Sequence, residues 1–529
     1  MINKEFDPIR LEIYKHLFAA IAEEMGTVLR RTSYSPNIKE RRDFSCALFD
    51  PEGSMIAQAA HIPVHLGSMP LSVLAAVERF SGQDQLKAGD VIILNDPFRG
   101  GTHLPDITLV SPVFDQFDNL LGYVASRAHH ADVGGMSPGS MPVAREIFQE
   151  GLIIPPVRLV KGGVINQDIL DMIQANVRTP KERMGDLWAQ IAANQRGGAR
   201  LLEMNDKYGR ETIHEAMDQL LAYTERMTRK LIQSLPDGTY RFEDRMDDDG
   251  ISRTEIPIKV KIEIKGDTAS IDFTGSAPQQ QGGINAVYAI TLSAVYYVFR
   301  CLLGLDVPNN SGCLLPINVV APKGSVVNAS SPASVAGGNV ETSQRIVDVL
   351  LGALAQACPD KVPAASQGSM NNLTIGGWDV SRSRAYTYYE TIGGGMGARP
   401  VSNGPSAIHS HMTNTLNTPI EAMEYAYPFL VREYSIRKGS GGSGKFRGGD
   451  GIRRSLQVLG ICQATILSDR RRFPPYGLSG GEPGGLGKNT IIRNGREIPA
   501  PGKGSFELEA GDTLVIDTPG GGGWGEQEI

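Results

Sequence analysis

Cysteine is scarce. Cys46, Cys301, Cys313, Cys358 and Cys462 are the five among 529 residues, with no CxxC spacing. An odd, scattered set excludes a disulfide framework and a zinc ribbon, and it suits a reducing, cytoplasmic setting. Long hydrophobic runs are also missing. The longest uncharged apolar stretch, Ala286 to Phe299, falls short of the ~20 residues that cross a bilayer, so it reads as a buried helix. The start, MINKEFDPIRLEIYKHLF, carries acids in an amphipathic pattern and no small-residue cleavage site, which argues against a secretory signal. Nor is there an excess of positive charge: 58 Asp and Glu face 52 Lys and Arg, a net −6. A dedicated nucleic-acid binder is usually basic. Neither nucleic acid nor a membrane is therefore expected as a partner.

Hydrophobic residues make up 41% and charged residues 21% of the chain, which excludes a largely disordered protein. Glycine is abundant, 61 residues, without a Gly-X-Y period. Such glycines serve tight turns and close backbone approaches. An amphipathic pattern at Tyr14, Leu17, Ile21, Met25 and Val28 predicts a first helix over 8–31, opened by Asp7 as N-cap and Pro8 at N1. Short apolar runs at 43–50 and 90–95 read as strands, and 107–114 with 120–126 as a hairpin. The pattern is helical from about 168 to 235. Ile256 to Ile264 alternates with period two, and Thr268 to Phe273 is its expected hairpin partner. Helices are predicted over about 286–304 and 345–358. The last 91 residues hold 23 glycines between short strands at 456–458, 464–467 and 513–516. The expected class is mixed α+β: a large N-terminal body over 1–235, a central α+β region over 236–430 and a glycine-rich β domain over 431–529.

Short glycine motifs arise by chance in such a chain. Gly-x-Ser-x-Gly occurs around Ser137 and Ser479, but a nucleophile elbow needs a strand before and a helix after, and Pro138 and the following loops argue against it. Gly439 to Lys445 mimics a phosphate loop, yet Phe446 stands where a Mg²⁺-binding Ser or Thr belongs. The run Arg470, Arg471, Arg472 reads as a solvated or subunit-facing stretch. Nine histidines are more informative. His16 and His214 fall on predicted helices and read as ordinary helix residues. His61, His65, His103, His129 and His130 lie between 61 and 130, and His409 and His411 sit in a second Gly/Ser/Asn-rich segment.

The densest constellation is Asn95-Asp-Pro-Phe-Arg-Gly-Gly-Thr-His103-Leu-Pro-Asp106, followed by Arg127-Ala-His129-His130-Ala-Asp132. His103 and Asp106 converge across a Pro turn, and the hairpin returns the chain to bring His129 near His103. Imidazole plus carboxylate suits Zn²⁺, Mn²⁺ or Fe²⁺ in a catalytic site. Adjacent imidazoles on a strand face opposite ways, so one of His129 and His130 ligates while the other supports. The bland alternative is a polar loop cluster of satisfied histidines.

These segments resemble the hydantoinase B/oxoprolinase family. So do Glu40-Arg-Arg-Asp-Phe-Ser-Cys46, Gly185-Asp-Leu-Trp-Ala-Gln-Ile-Ala-Ala-Asn194, Gly338-Asn-Val-Glu-Thr-Ser-Gln-Arg345, His409 to Pro419 and the closing Pro519 to Gly525, in order along nearly the whole chain. The resemblance implies metal ligands at Asp43, His103, Asp106 and His129. It also implies a two-part machine. A partner A subunit, an actin-like ATPase, phosphorylates a lactam or carbonyl oxygen. The B subunit completes the reaction at one divalent metal, and ATP is bound by the partner. The expected assembly is a heterotetramer or larger, and the expected substrate a small cyclic amide or imide. A water acidified by the metal opens the activated ring, with His130 or Asp132 accepting a proton and Arg127 holding phosphoryl oxygens. The alternatives are a subunit of an ATP-dependent ketone carboxylase and a non-catalytic scaffold for the ATPase.

Overall fold

Strands covered on both faces read as unbroken apolar runs, because neither face needs polar residues. The first sheet of the computed structural model shows this. The structure describes residues 7–59, 61–304 and 306–527. The sheet comprises β1 (Phe44–Phe49), β2 (Met55–Gln58), β3 (Val91–Leu94), β4 (Asp106–Phe114), β5 (Leu120–His129), β6 (Val157–Lys161) and β7 (Val164–Ile165). Its order is β2-β1-β5-β4-β3-β6-β7 and every pairing is antiparallel.

On one face lie α1 (Pro8–Thr32), α5 (Pro180–Tyr208) and α6 (Arg210–Gln233); α2 (Pro36–Lys39) leads into β1, and α4 (Gln167–Asn176) precedes α5. Phe18, Ile21, Met25 and Leu29 of α1 pack with Cys46 and Leu48 of β1 and Val124 and Ala128 of β5. Asp7 caps α1, accepting from the backbone N–H of Ile9 and Arg10, as expected. The pair Gly197-Gly198 lies inside α5, where a Cβ on Gly197 would fall 2.4 Å from Met25 Sδ. The small residue lets α1 and α5 approach closely. The opposite face carries α3 (Ser68–Arg79), with α7 (Tyr288–Leu303) and α8 (Ser343–Leu354) behind it.

A second sheet, β11-β10-β9-β8, joins β8 (Gly238–Met246), β9 (Ile256–Lys265), β10 (Thr268–Asp272) and β11 (Ile317–Val320). The expected β9–β10 hairpin is present, and α8 packs on β8 and β9. The third sheet, β13-β12-β16-β19, comprises β12 (Asn372–Asp379), β13 (Arg384–Glu390), β16 (Cys462–Leu467) and β19 (Lys503–Leu508). It takes strands from both sides of the boundary expected at 430/431. One hydrophobic core likewise runs from Ala47 to Leu467, across the boundary expected at 235/236. The last sheet is β14 (Phe429–Arg437), β15 (Gly451–Val458), β20 (Thr513–Asp517), β17 (Lys488–Arg493) and β18 (Arg496–Ala500), in that order.

The C-terminal glycines pack backbone against backbone. A Cβ on Gly448 would lie 2.0 Å from the carbonyl oxygen of Gly521, and one on Gly521 would lie 2.1 Å from that of Met396. No other residue fits there. The near-miss phosphate loop belongs to this packing: Lys445 and Phe446 donate backbone bonds to Gly525 and Trp524, and no helix follows. Around Ser137 and Ser479 the chain is likewise irregular. The run at 470–472 is a correction. Arg470 is buried and bonded to Asp244 and Asp348 at 2.7 and 2.6 Å, and Arg471 reaches Asn371 and Asn489; of the three, only Arg472 is exposed. Among the described residues no helix is long and apolar enough to cross a membrane.

Candidate metal centre

The register of β4 on β5 sets the site. Asp106, the first residue of β4, sits directly opposite His129, the last of β5, and Thr108 faces Arg127. His103 is carried in by the turn before β4, where the Asp106 N–H donates to the His103 carbonyl. One ligand atom from each of His103, Asp106 and His129 lies within 4.8 Å of the others, and all three residues are buried. Asp106 and His129 line a small void of about 20 Å³, shared with Asp43, His65, Asn339 and Tyr389. That volume holds one water-sized occupant.

The electrostatics are those of a site built around an anion with imidazole neighbours. Burial alone would raise the Asp106 carboxyl, but His103 and His65 beside it hold it well below the usual range. Asp106 Oδ2 lies 3.4 Å from His103 Nε2 and 3.3 Å from His65 Nε2, and Thr102 Oγ1 donates to it at 2.5 Å. Burial pushes the His129 imidazole well down, and the neighbouring His103 adds to this, so His129 is neutral and has a lone pair to give. Asp43 behaves oppositely: burial pushes it up to about 6, against the pull of Arg41 3.8 Å away. Asp43 lines the void but stands outside the 4.8 Å set.

The surroundings fix the His129 ring. Tyr389 of β13 stacks on it at 4.1 Å and 9°, and Arg41 lies 4.9 Å over the Tyr389 ring. Asn37 donates to the His129 carbonyl at 2.6 Å. Asn339 Nδ2 stands 3.0 Å from His103 Nε2; it is delivered by a π-helical turn, Gly338–Thr342, that runs into α8. Such turns are frequent at functional sites.

Four of the seven expected site residues, Asp43, His103, Asp106 and His129, are brought together. Strand alternation sends His129 to this side and His130 to the other, where His130 Nε2 bonds Gln190 of α5 at 2.9 Å. Asp132 accepts from the backbone of Gly134, Gly139 and Arg178 and from the Arg178 side chain, so its lone pairs are occupied by its own loop and by Arg178. Arg127 is fully buried and donates from all three nitrogens, to Thr108 and to Ser68 and Ser72 of α3. These three expected catalytic groups do not line the void, and as placed they brace strand, loop and helix. Conversely, His65, Asn339, Tyr389 and Asn37 belong to the site without having been selected. Among them His65 carried a signal, as one of five histidines within 61–130, and Asn339 lay in the Gly338–Arg345 segment that resembles the family. The segment 412–415 covers the void with Met412, Thr413 and Thr415.

A divalent ion fits this set. His129 Nε2 and His103 Nδ1 are buried without a hydrogen-bond partner, a costly arrangement that a bound cation relieves. The donors are two imidazoles and a carboxylate, with a second carboxylate close by, which is the set for Zn²⁺, Mn²⁺ or Fe²⁺.

Residues 7–527 match the family model described as hydantoinase B/oxoprolinase. An uncharacterized protein of Methanocaldococcus jannaschii is 45% identical over 526 residues, covering 98% of this chain and 91% of its own length. 5-Oxoprolinase 1 of Arabidopsis thaliana is 43% identical over 98% of this chain, which spans only 42% of that longer relative. The crystal structure of ATP-dependent caprolactamase from Pseudomonas jessenii superposes with a TM-score of 0.91 at 29% identity, over 99% of this chain and 92% of that one. With a full-length family match and a 45% identical relative aligned nearly end to end, the chain belongs to the hydantoinase B/oxoprolinase family.

Proposed function

We propose that this chain is the metal-containing subunit of an ATP-dependent amidohydrolase that opens a small cyclic amide or imide. It acts on an intermediate phosphorylated by a separate, hydantoinase A-type ATPase subunit. The observation that carries the reading is the convergence of one ligand atom each from buried His103, Asp106 and His129 within 4.8 Å of one another, with two imidazole nitrogens left without a hydrogen-bond partner. His103, Asp106 and His129 would hold the ion, with Asp43 as a fourth donor. When bound, a divalent ion supplies Lewis acidity and makes water a competent nucleophile near neutral pH.

The chain's own residues do the rest. Asp106 stays ionised, oriented by Thr102, His65 and His103. Tyr389 and Asn37 hold the His129 ring in one pose. Ile62, Val64, Met370 and Met412 close the void and exclude bulk water, which protects an activated species from premature hydrolysis. An unstrained amide resists opening because its nitrogen donates into the carbonyl; phosphorylating the oxygen removes that donation. The Gly439–Lys445 segment is committed to backbone packing against Gly525 and Trp524, which supports assigning nucleotide binding to the partner. The likeness to an oxoprolinase and a caprolactamase favours ring amides over ketone carboxylation.

Reconstitution tests this. The chain alone, the ATPase subunit alone and the mixture are assayed for ATP-dependent ring opening, with metal content measured in parallel. Turnover is expected only from the mixture, and His103→Ala, Asp106→Ala and His129→Ala should each strip the metal with circular dichroism unchanged. Full turnover by this chain without ATP, or full activity of the mixture with a metal-free chain, would overturn the reading.

A further inference from the structure

A neutral imidazole carries its proton on one ring nitrogen and its lone pair on the other, so the partner of one nitrogen decides whether the other can ligate. At His103 the two nitrogens stand in unlike surroundings. Nδ1 is buried without a hydrogen-bond partner. Nε2 lies 3.0 Å from Asn339 Nδ2 and 3.4 Å from Asp106 Oδ2. A proton on Nε2 is attracted to that carboxylate oxygen, whereas a lone pair there is repelled. Oδ2 is a weak hold by itself, because it already accepts from Thr102 Oγ1 at 2.5 Å and faces His65 Nε2 at 3.3 Å. Asn339 is the remaining neighbour of Nε2, and its own Oδ1 is buried without a partner. Half a turn about the Asn339 Cβ–Cγ bond exchanges amide nitrogen and oxygen without changing the shape of the side chain. With Oδ1 toward the ring, the amide accepts the Nε2 proton that the carboxylate favours, and the orphaned acceptor gains its partner.

The backbone aims Asn339 at this spot. The Ser343 N–H bonds back to the Gly338 carbonyl, which makes Gly338–Thr342 a π turn. Such a turn holds one residue more than an α-helical turn, so it swings the residues before it by about 100° around the axis of α8. The turn is tied down on both sides. The Gly338 N–H donates to the Gly283 and Val335 carbonyls at 3.2 and 3.0 Å, and Thr342 Oγ1 donates to the Ile284 carbonyl. Glu341 Oε1 accepts from the Met370 N–H at 3.0 Å and from Asn372 Nδ2 at 2.9 Å, which fixes the turn to the start of β12. Asn339 thus reaches His103 from a rigid support.

We propose that Asn339 is a positioning residue of the metal centre: its amide oxygen accepts the His103 Nε2 proton and so commits the His103 Nδ1 lone pair to the ion. His103 and His129 would then ligate through different nitrogens, Nδ1 and Nε2, the two that are buried without hydrogen-bond partners. The inference rests on the metal-binding reading of the cluster and is independent of the reaction and the ATPase partner assigned to it.

Two substitutions test it. Asn339→Leu keeps the size of the side chain and removes both polar atoms, whereas Asn339→Asp keeps an acceptor and removes the N–H groups. Zn²⁺ affinity is measured by competition against a chromophoric chelator, with circular dichroism to confirm the fold. The Leu variant should bind ~10–100-fold more weakly, the loss typical when a group that orients a ligating histidine is removed. The Asp variant should bind at least as tightly as the parent, a rescue that a merely structural role for the amide would not produce. Nitrogen-15 NMR of the histidine-labelled, metal-free chain reads the tautomer directly, with the His103 signals assigned by their loss in His103→Gln. In the parent the proton should sit on Nε2. A Leu variant within a few-fold of the parent, an Asp variant as weak as Leu, or a parent proton on Nδ1 overturns the proposal. An inactive reconstituted complex whose chain still shows the Nε2 proton and the Leu-against-Asp contrast would refute the proposed function and leave the role of Asn339 standing.

Discussion

Tyr389 offers the sharpest test of how the candidate metal centre is held. Its ring stacks on His129 at 4.1 Å, Arg41 lies over it at 4.9 Å, and its hydroxyl donates to Asn372 Oδ1 at 3.1 Å. Two substitutions separate these roles. Tyr389→Phe removes one hydroxyl hydrogen bond, worth about 1 kcal/mol of stability, and keeps the aromatic plate. Tyr389→Leu keeps an apolar side chain but removes the plate, forfeiting a ring-pair interaction of ~0.5–1.5 kcal/mol and freeing the His129 imidazole to rotate. Groups that orient a metal-ligating histidine typically affect affinity ~10–100-fold when lost, roughly 1.4–2.8 kcal/mol. Competition against a chromophoric chelator measures the affinity, and circular dichroism confirms the fold. The Phe variant should bind Zn²⁺ or Mn²⁺ within a few-fold of the parent, and the Leu variant ~10–100-fold more weakly. A Leu variant that binds as tightly as the parent would show that stacking does not position His129. A Phe variant as weak as Leu would transfer the role to the Asn372 bond.

Glu150 predicts a pH dependence. It is fully buried, its Oε1 accepts from Ser334 and from the Val335 and Ala336 N–H groups, its Oε2 has no partner, and burial pushes it up to about 7. The folded state therefore keeps a proton that the unfolded chain releases near pH 4.5, so stability should fall as pH rises from ~4.5 to ~7, by on the order of 3 kcal/mol. Glu150→Gln should flatten that slope in denaturant melts, and an unchanged slope would clear Glu150 of the effect. Asp469→Asn should cost about 3–5 kcal/mol and lower the thermal midpoint, because Arg345 and Lys503, at 3.0 and 2.6 Å, would keep buried charge without their shared anion; a midpoint within a degree of the parent would refute this. His130→Ala should leave metal stoichiometry intact, since the ring faces Gln190; loss of metal would return His130 to the centre.

Local pattern carried what was legible in the sequence. Helix α1 with its Asp7 cap, the β4–β5 hairpin and the β9–β10 hairpin follow from period and turn residues within a few positions of each other. The hairpin is also why His103, Asp106 and His129 were readable, for a short return of chain brings them opposite. What was hidden needed tertiary closure. Tyr389 reaches His129 from a strand of the third sheet, and Asn339 reaches His103 across 236 positions on a π-helical turn. Arg470 read as surface because its acidic partners, Asp348 and Asp244, stand 122 and 226 positions away. Arg127 and Asp132 misled for the opposite reason: polar residues beside a ligand motif look chemical, and only the contacts show that α3 and the 134–139 loop already occupy them.

These long-range contacts change what the site is. The first sheet alone delivers His103, Asp106 and His129, but it leaves their far side open. Closure comes from Asn339 on the π-helical turn, Tyr389 on β13 and the 412–415 segment. Arg41 ties the parts together: it donates to Asn37 near the first sheet, to Thr391 just after β13 and to Thr415 in the covering segment. A buried guanidinium with partners on three separate stretches of chain costs much to leave half satisfied. The open arrangement therefore loses several charge-assisted bonds at once, and the void forms only when all three stretches have docked. The ligand triad is local in sequence, whereas the dry cavity that would make it useful is a property of the whole chain.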